Sequence, residues 1–328
     1  MTFKVLDPGL FSTIQDAGRF SYQAFGFSPS GVLDYRAHKL ANRLLGNEDN
    51  AAVLEMTLQG VTLEAGKDTV ISTSGAKAAI TIGGNTYDHG TAIKVMKGET
   101  LKIGKCEDGS RTYLAVSGGF DVPEILGSRS THTRSGIGGF KGRTLKSGDV
   151  LKSAGGDFTN KLKKIKSFES DDDIHIIPGQ QYDRFEEEVQ EKLFNSEYTI
   201  TKDSDRMGIR LNGAELQTDA GHDVLSEPTQ LGSIQVPKNG QPIILLNDRQ
   251  TAGGYVRIAT VALADIPKLV QKSPGGKLRF KKIGVDKATE LYKEELRRID
   301  ADEYFEPVTG FTSIRRHTSL KISKLMGV

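Results

Sequence analysis

Residues 69–119, "TVISTSGAKAAITIGGNTYDHGTAIKVMKGETLKIGKCEDGSRTYLAVSGG", constrain the fold more than any other stretch. Short β-branched runs at 69–72, 79–82, 92–95, 100–103 and 111–116 are separated by glycine-bearing turns, the pattern of successive strands. Parallel strands need a crossover of a dozen or more residues, usually a helix, and no interval here has room for one. The expectation is a mainly β chain of antiparallel strands, closed as a barrel or stacked as a sandwich. The second half repeats the style, with strand runs at 174–179, 198–213, 232–236, 243–246 and 256–262.

Helices are few. Ala37, Leu40, Ala41 and Leu44 recur at helical spacing, and Gly46 follows as a C-terminal cap. Asp34 stands where it can cap the first turn or face a ligand. A second helical run is "DRFEEEVQEKLF" at 183–194. In "DKATELYKEELRRID" (286–300), Ala288, Tyr292, Leu296 and Ile299 form one stripe suited to packing against the chain itself. Between the β-rich halves the composition turns to lysine, serine and aspartate. The expected organisation is therefore an N-terminal unit at 1–155, a linker at 156–173, a second β unit at 174–283 and a helical, charged tail at 284–328.

Bulk chemistry excludes several function classes. Lys+Arg is 44 against 42 for Asp+Glu, a net charge of +2 too small to argue for nucleic acid or an anionic membrane. The basic run "KLKKIK" (161–166) is followed at once by "ESDDD" (169–173), which reads as a solvated connection. The single cysteine, Cys106, rules out an intramolecular disulfide and a cysteine metal cage. No run approaches the roughly 20 apolar residues of a bilayer span, and the first residues lack a signal-peptide pattern, so a cytoplasmic location is expected.

Three polar, glycine-rich segments adjoin the strands: 25–34, 114–143 and 242–255. The middle one brings Ser117, Asp121, Arg129, Ser130, Thr131, His132 and Arg134 into 18 residues. Gly118 and Gly119 permit left-handed backbone whose N–H groups can form an anion nest, and a forked arginine can grip a carboxylate or phosphate. An ordinary Gly/Ser loop is the alternative reading. Ser117 sits in A-V-S-G-G, not the G-x-S-x-G of a nucleophile elbow, which argues against a serine hydrolase. The six histidines show no H-x-H or H-E-x-x-H spacing, so no metal site is expected. "SDRMG" at 204–208 reads as a turn with an Asp–Arg pair. In "PIILLNDRQTAGGY" (242–255) an apolar strand ends in polar residues. If the strand continued, Asp248 and Gln250 would share a face and Arg249 would oppose them.

The blocks "SPSGVLDYRAHKLANRLLGN" (28–47), "AVSGGFDVPEILGSRST" (115–131), "SDRMGIRLNG" (204–213) and "GSIQVPKNGQPIILLNDRQTAGGY" (232–255), in this order, resemble one family. It is the biotin-dependent carboxyltransferase family, which includes KipA proteins, the C subunit of bacterial 5-oxoprolinase (PxpC) and the second part of the urea carboxylase carboxyltransferase domain. The resemblance covers about residues 3–283. It implies two cyclophilin-like β-barrel domains with a few peripheral helices. It also implies an ATP-dependent complex that opens 5-oxoproline to glutamate. The implied partners are a KipI-like protein (the B subunit of 5-oxoprolinase, PxpB) and the lactam-utilisation-type A subunit (PxpA). Other activities in the family are carboxyl transfer to urea or a similar amide, and KipA-type antagonism of a KipI-type histidine-kinase inhibitor. The resemblance carries a catalytic set of Asp34, Ser117, Asp121, Arg129, Ser130, Asp248, Arg249 and Gln250, with Gly118, Gly119, Arg206 and Tyr255 contacting substrate. Within it, Arg129 or Arg249 would bind the substrate carboxylate, and the Gly118 and Gly119 amides would meet charge on the lactam oxygen. The sequence departs from a self-contained biotin enzyme: no biotinylation lysine in an A-M-K-M context and no ATP-grasp region is present. No biotin is therefore expected on this chain, and, since no canonical nucleotide motif occurs either, ATP is expected mainly on partner chains of the complex.

Overall fold

The computed structural model describes residues 2–156, 163–167 and 173–308. The first half contains β1 (Phe3–Asp7), β2 (Phe11–Gln15), α1 (Tyr35–Leu45), β3 (Val53–Thr57), β4 (Thr62–Ala65), β5 (Thr69–Ile82), β6 (Asn85–Tyr87), β7 (Ala92–Val95), β8 (Thr100–Val116) and β9 (Val150–Leu151). After β10 (Lys163–Ile165), the second half has β11 (Asp173–Pro178), α2 (Glu187–Asn195), β12 (Glu197–Ile200), β13 (Gly208–Asn212), β14 (Asp223–Pro228), β15 (Ser233–Gln235) and β16 (Ile243–Leu245). Next come β17 (Ala252–Tyr255), β18 (Arg257–Val261), α3 (Ile266–Gln271), β19 (Lys277–Lys282), α4 (Val285–Asp300) and β20 (Phe305–Pro307).

The expectation of two closed barrels is corrected. Only the second half closes, in the cyclic order β11-β18-β15-β16-β13-β12-β19, with β11 and β19 parallel at the seam. The nine strands of the first half form one open, curled sheet along the path β2-β3-β8-β4-β1-β9, with β5 to β7 branching from β8. Closure fails because the two ends of that path do not match. β9 is two residues long and pairs with β1, whereas the outer edge of β2 is capped by a loop. Thr131 N–H donates to Ile14 O at 3.0 Å and Leu145 N–H to Ser12 O at 3.0 Å, so the edge carbonyls are satisfied without a further strand.

Four of the five runs read from the 69–119 stretch are joined pairwise. The runs at 69–72 and 79–82 are one 14-residue strand, β5; those at 100–103 and 111–116 are one 17-residue strand, β8. The glycine between the first pair is a bulge, not a turn. The β5/β8 register shifts between Gly75 and Lys77, and Gly75 sits at φ +77° with no space for a Cβ beside Arg111 O. Bulges bend a strand without ending it, which local spacing cannot distinguish from a hairpin.

Each half has its own core. Phe3, Val5, Ile14, Leu54, Met56, Leu63, Ile71, Ile80, Leu101 and Leu114 fill the curled sheet; Ile174, Ile176, Tyr198, Ile209, Ile234, Ile244, Ile258 and Leu278 fill the barrel. Leu33, which precedes α1, inserts into the barrel core. Helix α1 forms as its spacing dictates, with Gly46 at φ +70° closing its C-terminus, and it lies against β5 through Ser72 and Ser74 hydroxyls donating to Ala41 O and Ala37 O. Its outer side packs Leu40 and Leu44 on Ile299, Tyr304 and Phe305, while Arg36 pairs with Glu295 of α4. The connection expected over 156–173 falls largely outside the described residues, as do tail residues 309–328; within it β10 pairs with β20.

Burial lowers the pKa of His89 to about 4, against a hydrogen bond with the Gly75 backbone. A histidine neutral in the fold and able to protonate when unfolded contributes stability above pH 6.5 that is lost as pH falls toward 4. Urea unfolding at pH 7.5 and pH 5 is expected to show a loss on the order of 2 kcal/mol from this group. A His89→Gln variant should lack that share of the acid slope; an identical slope in the variant would remove His89 as its source.

Candidate functional site

The segments singled out by sequence meet where the curled sheet abuts the barrel. Residues 28–32 are tied to the turn after β16: Ser30 N–H donates to Asn247 O at 3.0 Å, Asn247 Nδ2 to Val32 O at 2.7 Å, and Ser28 Oγ to Arg249 O at 2.6 Å. The loop after β12 joins them through Leu246 N–H on Met207 O and Asp248 N–H on Arg206 O, at 2.8 and 3.0 Å. The 128–142 loop reaches the same place: Arg134 pairs with Asp205 at 2.9 Å.

At the centre is a buried ion network. Arg206 donates from Nε and Nη2 to the two oxygens of Asp248, at 3.0 and 3.1 Å, from Nη2 to Gly31 O at 2.6 Å, and from Nη1 to Glu55 Oε1 of β3. The second oxygen of Glu55 accepts from Leu33 N–H and Tyr113 Oη, both at 2.8 Å, and Tyr113 Oη accepts from Asp34 N–H at 2.9 Å. Desolvation works against the Arg206 charge, yet Asp248 and Glu55 together hold its pKa above the ordinary arginine value. With two carboxylates and a carbonyl gripping its guanidinium, Arg206 is a structural cation rather than a hand for substrate.

Arg249 is its opposite. It is 5% exposed, no carboxylate pairs with it among the described residues, Nη1 makes a 3.2 Å bond to Leu246 O, and Nε has no partner. Burial alone lowers its pKa to about 10. A charged group held dry without a counter-charge is costly, and the usual compensation is an anion. Arg129, the other candidate for a carboxylate, is half-exposed and paired with Glu124 at 3.2 Å.

The strand alternation expected at 248–250 does not apply. β16 ends at Leu245, and the turn that follows buries both Asp248 and Arg249 while Gln250 is exposed. Asp34 takes the capping role: Oδ1 accepts from Ala37 N–H and Oδ2 from Gln271 Nε2, both at 2.8 Å. Burial pushes its carboxyl pKa up, opposed by Arg36 and these hydrogen bonds. Ser130 is fully buried and, with Ser128, donates to Asp16 Oδ1 at 2.6 Å, so it organises the loop beneath Arg19, which donates to Ser130 O.

Other residues lie apart. Ser117 donates to Gly156 O, Gly118 N–H to Asn47 Oδ1 at 2.8 Å and Gly119 N–H to Val116 O at 2.8 Å. These contacts are just beyond the C-terminus of α1, whereas Asp34 is at its N-terminus, about 16 Å away for an 11-residue helix. Both glycine amides already have acceptors within the chain. Asp121 is exposed at the same turn, and Tyr255 is 41% exposed on the β14–β17 ribbon, opposite Asp223.

Residues 25–282 match the carboxyltransferase domain family, subdomains A and B. The chain belongs to that family. This carboxyltransferase domain is 36% identical over 304 residues to the C subunit of 5-oxoprolinase from Escherichia coli (strain K12), covering 92% of the chain and 96% of that protein. It is 31% identical to the urea amidolyase of Saccharomyces cerevisiae, covering 96% of the chain but 18% of that protein. The crystal structure of the K. lactis urea amidolyase superposes with a TM-score of 0.85 at 31% identity, covering 94% of this chain and 21% of that one. Among the described residues of the carboxyltransferase domain, no group of three or more His, Cys, Asp or Glu side chains converges as a metal site, and no helix is long and apolar enough to cross a membrane.

Sequence reasoning missed Glu55, Tyr113, Asp16, Arg19 and Gln271, which hold the site's loops. For Glu55 a signal existed: it is the lone charge in the run "AAVLEM", and a strand with a solitary acid between Leu54 and Met56 calls for a buried partner.

Proposed function

We propose that this chain is the C component of an ATP-dependent 5-oxoprolinase, opening 5-oxoproline to L-glutamate in a cytoplasmic complex with a KipI-like B component and a lactam-utilisation-type A component. The near full-length similarity to the corresponding Escherichia coli protein, covering 92% of this chain and 96% of the relative, carries this reading. Within it, Arg249 receives the substrate's carboxylate. A planar carboxylate matches the guanidinium fork, and it supplies the counter-charge that Arg249 lacks among the described residues. Arg249 is followed by exposed Gln250, and Ser28 ties the 25–34 segment to the same turn. Amide ring opening also needs donors for the lactam oxygen and activation by ATP. The Gly118 and Gly119 amides are bonded within the chain, and the sequence carries no canonical nucleotide motif, so this reading gives the nucleotide site to the partner chains.

The experiment is reconstitution. The three purified proteins together should hydrolyse ATP in a 5-oxoproline-dependent manner and form glutamate, and omission of this chain should abolish both. A complex that is inactive on 5-oxoproline but transfers carboxyl from carboxybiotin to urea would replace this reading with the second one, which the 0.85 superposition on urea amidolyase favours.

A further inference from the structure

One acid of the curled sheet is linked through a buried arginine to the turn that carries Arg249. Glu55 is 1% exposed, and both its oxygens are committed: one to Arg206, the other to Leu33 N–H and Tyr113 Oη. Its carboxylate therefore cannot swing. Arg206, fixed by it, holds Asp248 twice, through the guanidinium–carboxylate fork and through its own carbonyl, which accepts from Asp248 N–H. Asp248 is bonded directly to Arg249 in sequence, and the turn is closed by Arg249 N–H on Leu246 O at 3.2 Å, with Leu246 N–H anchored on Met207 O. Among the described residues the Arg249 side chain makes one bond, to Leu246 O of that same turn. Its position is consequently inherited from the turn, which Arg206 and Glu55 hold from one side while Ser28 on Arg249 O and residues 30–32 on Asn247 hold it from the other.

We infer that Glu55 is a positioning residue for anion binding: through Arg206 and Asp248 it sets where the Arg249 guanidinium stands. The inference rests on the reading that Arg249 receives the substrate carboxylate. It assigns to β3 of the curled sheet, a strand on which the sequence offers no candidate residue, a part in a site borne by the barrel. Glu55→Gln is the informative change because it keeps the size and one carbonyl acceptor for Leu33 and Tyr113. It removes the charge facing Arg206 and leaves that arginine with Asp248, so a shift of the fork and of the Asp248 end of the turn is the expected result.

The test is a double-mutant cycle in the reconstituted complex with an activity-independent arm. E55Q should raise KM for 5-oxoproline on the order of tenfold with a smaller change in kcat, since misplacement of a binding group is felt steeply. Combined with R249A, E55Q should add nothing further, because its effect runs through Arg249. Additive losses in the double variant would overturn the inference while leaving the 5-oxoprolinase reading intact. In the purified chain with 15N-labelled arginine, the Arg249 Nε–Hε resonance, assigned by its loss in R249A, should move or exchange faster in E55Q. An unchanged resonance would overturn the inference even if the wild-type complex were inactive, an outcome that by itself sinks only the 5-oxoprolinase reading. Should E55Q fail to fold, Tyr113→Phe removes one hydrogen bond from Glu55 with every charge in place, and the same resonance and cycle decide.

Discussion

Replacing Arg249 by alanine is expected to lower kcat/KM for 5-oxoproline by about 10- to 100-fold, chiefly through KM. Charge-assisted hydrogen bonds are worth about 1.5–3 kcal/mol, and Arg249 is a buried cation at the converging loops whose Nε has no partner and which lacks a carboxylate among the described residues. Lysine at 249 should recover little, because a point charge does not reproduce the fork. The same alanine variant should unfold at the same urea concentration as wild type or a higher one, since it removes a dry charge with no counter-ion among the described residues. Function and stability then move in opposite directions, which a general packing defect cannot produce. An unaltered KM in the reconstituted complex would remove Arg249 from the site.

The second large effect is on stability. Arg206→Ala leaves Glu55 and Asp248, 1% and 5% exposed, as two carboxylates with their shared cation gone. Breaking a buried pair by removing one partner costs about 3–5 kcal/mol, and here one cation serves two acids, so the upper end of that range is expected. Urea or thermal unfolding of the purified chain reads it directly. The triple change Glu55→Gln, Arg206→Met, Asp248→Asn removes the charges together and should be less destabilising than Arg206→Ala alone. If the single variant proves as stable as wild type, the network is not what joins the curled sheet to the barrel.

These two arginines show how much of the site the chain's spelling conveys. "SDRMG" and "NDRQT" mark both as polar residues at strand ends, and family resemblance places both in one site. Nothing in either block separates the saturated Arg206 from Arg249, which has no counter-charge among the described residues. The acids that satisfy Arg206 are 151 and 42 residues away in sequence, and only their arrival in space distinguishes a structural cation from one open to an anion. Gly118 and Gly119 illustrate the converse. Their left-handed backbone, φ +77° and +76°, is what a glycine pair foretells, but whether the amides are free depends on Asn47, 71 residues earlier for Gly118.

The fold divides along the same line. Helix α1, its Asp34 and Gly46 caps and most strand positions are written in local spacing, because propensity, capping and period-2 or 3.6 patterning act within a few residues. Closure is not local. Both halves carry strands of the right length, yet only the second meets itself edge to edge, β11 against β19. In the first, the 128–145 loop satisfies the edge of β2 and two-residue β9 ends the other side. The sequence by itself determined a mainly β chain of this family with polar turns at its strand ends. Tertiary structure alone decided which sheet closed and which arginine stood without a counter-charge among the described residues, because edge pairing and charge neutralisation are long-range contacts.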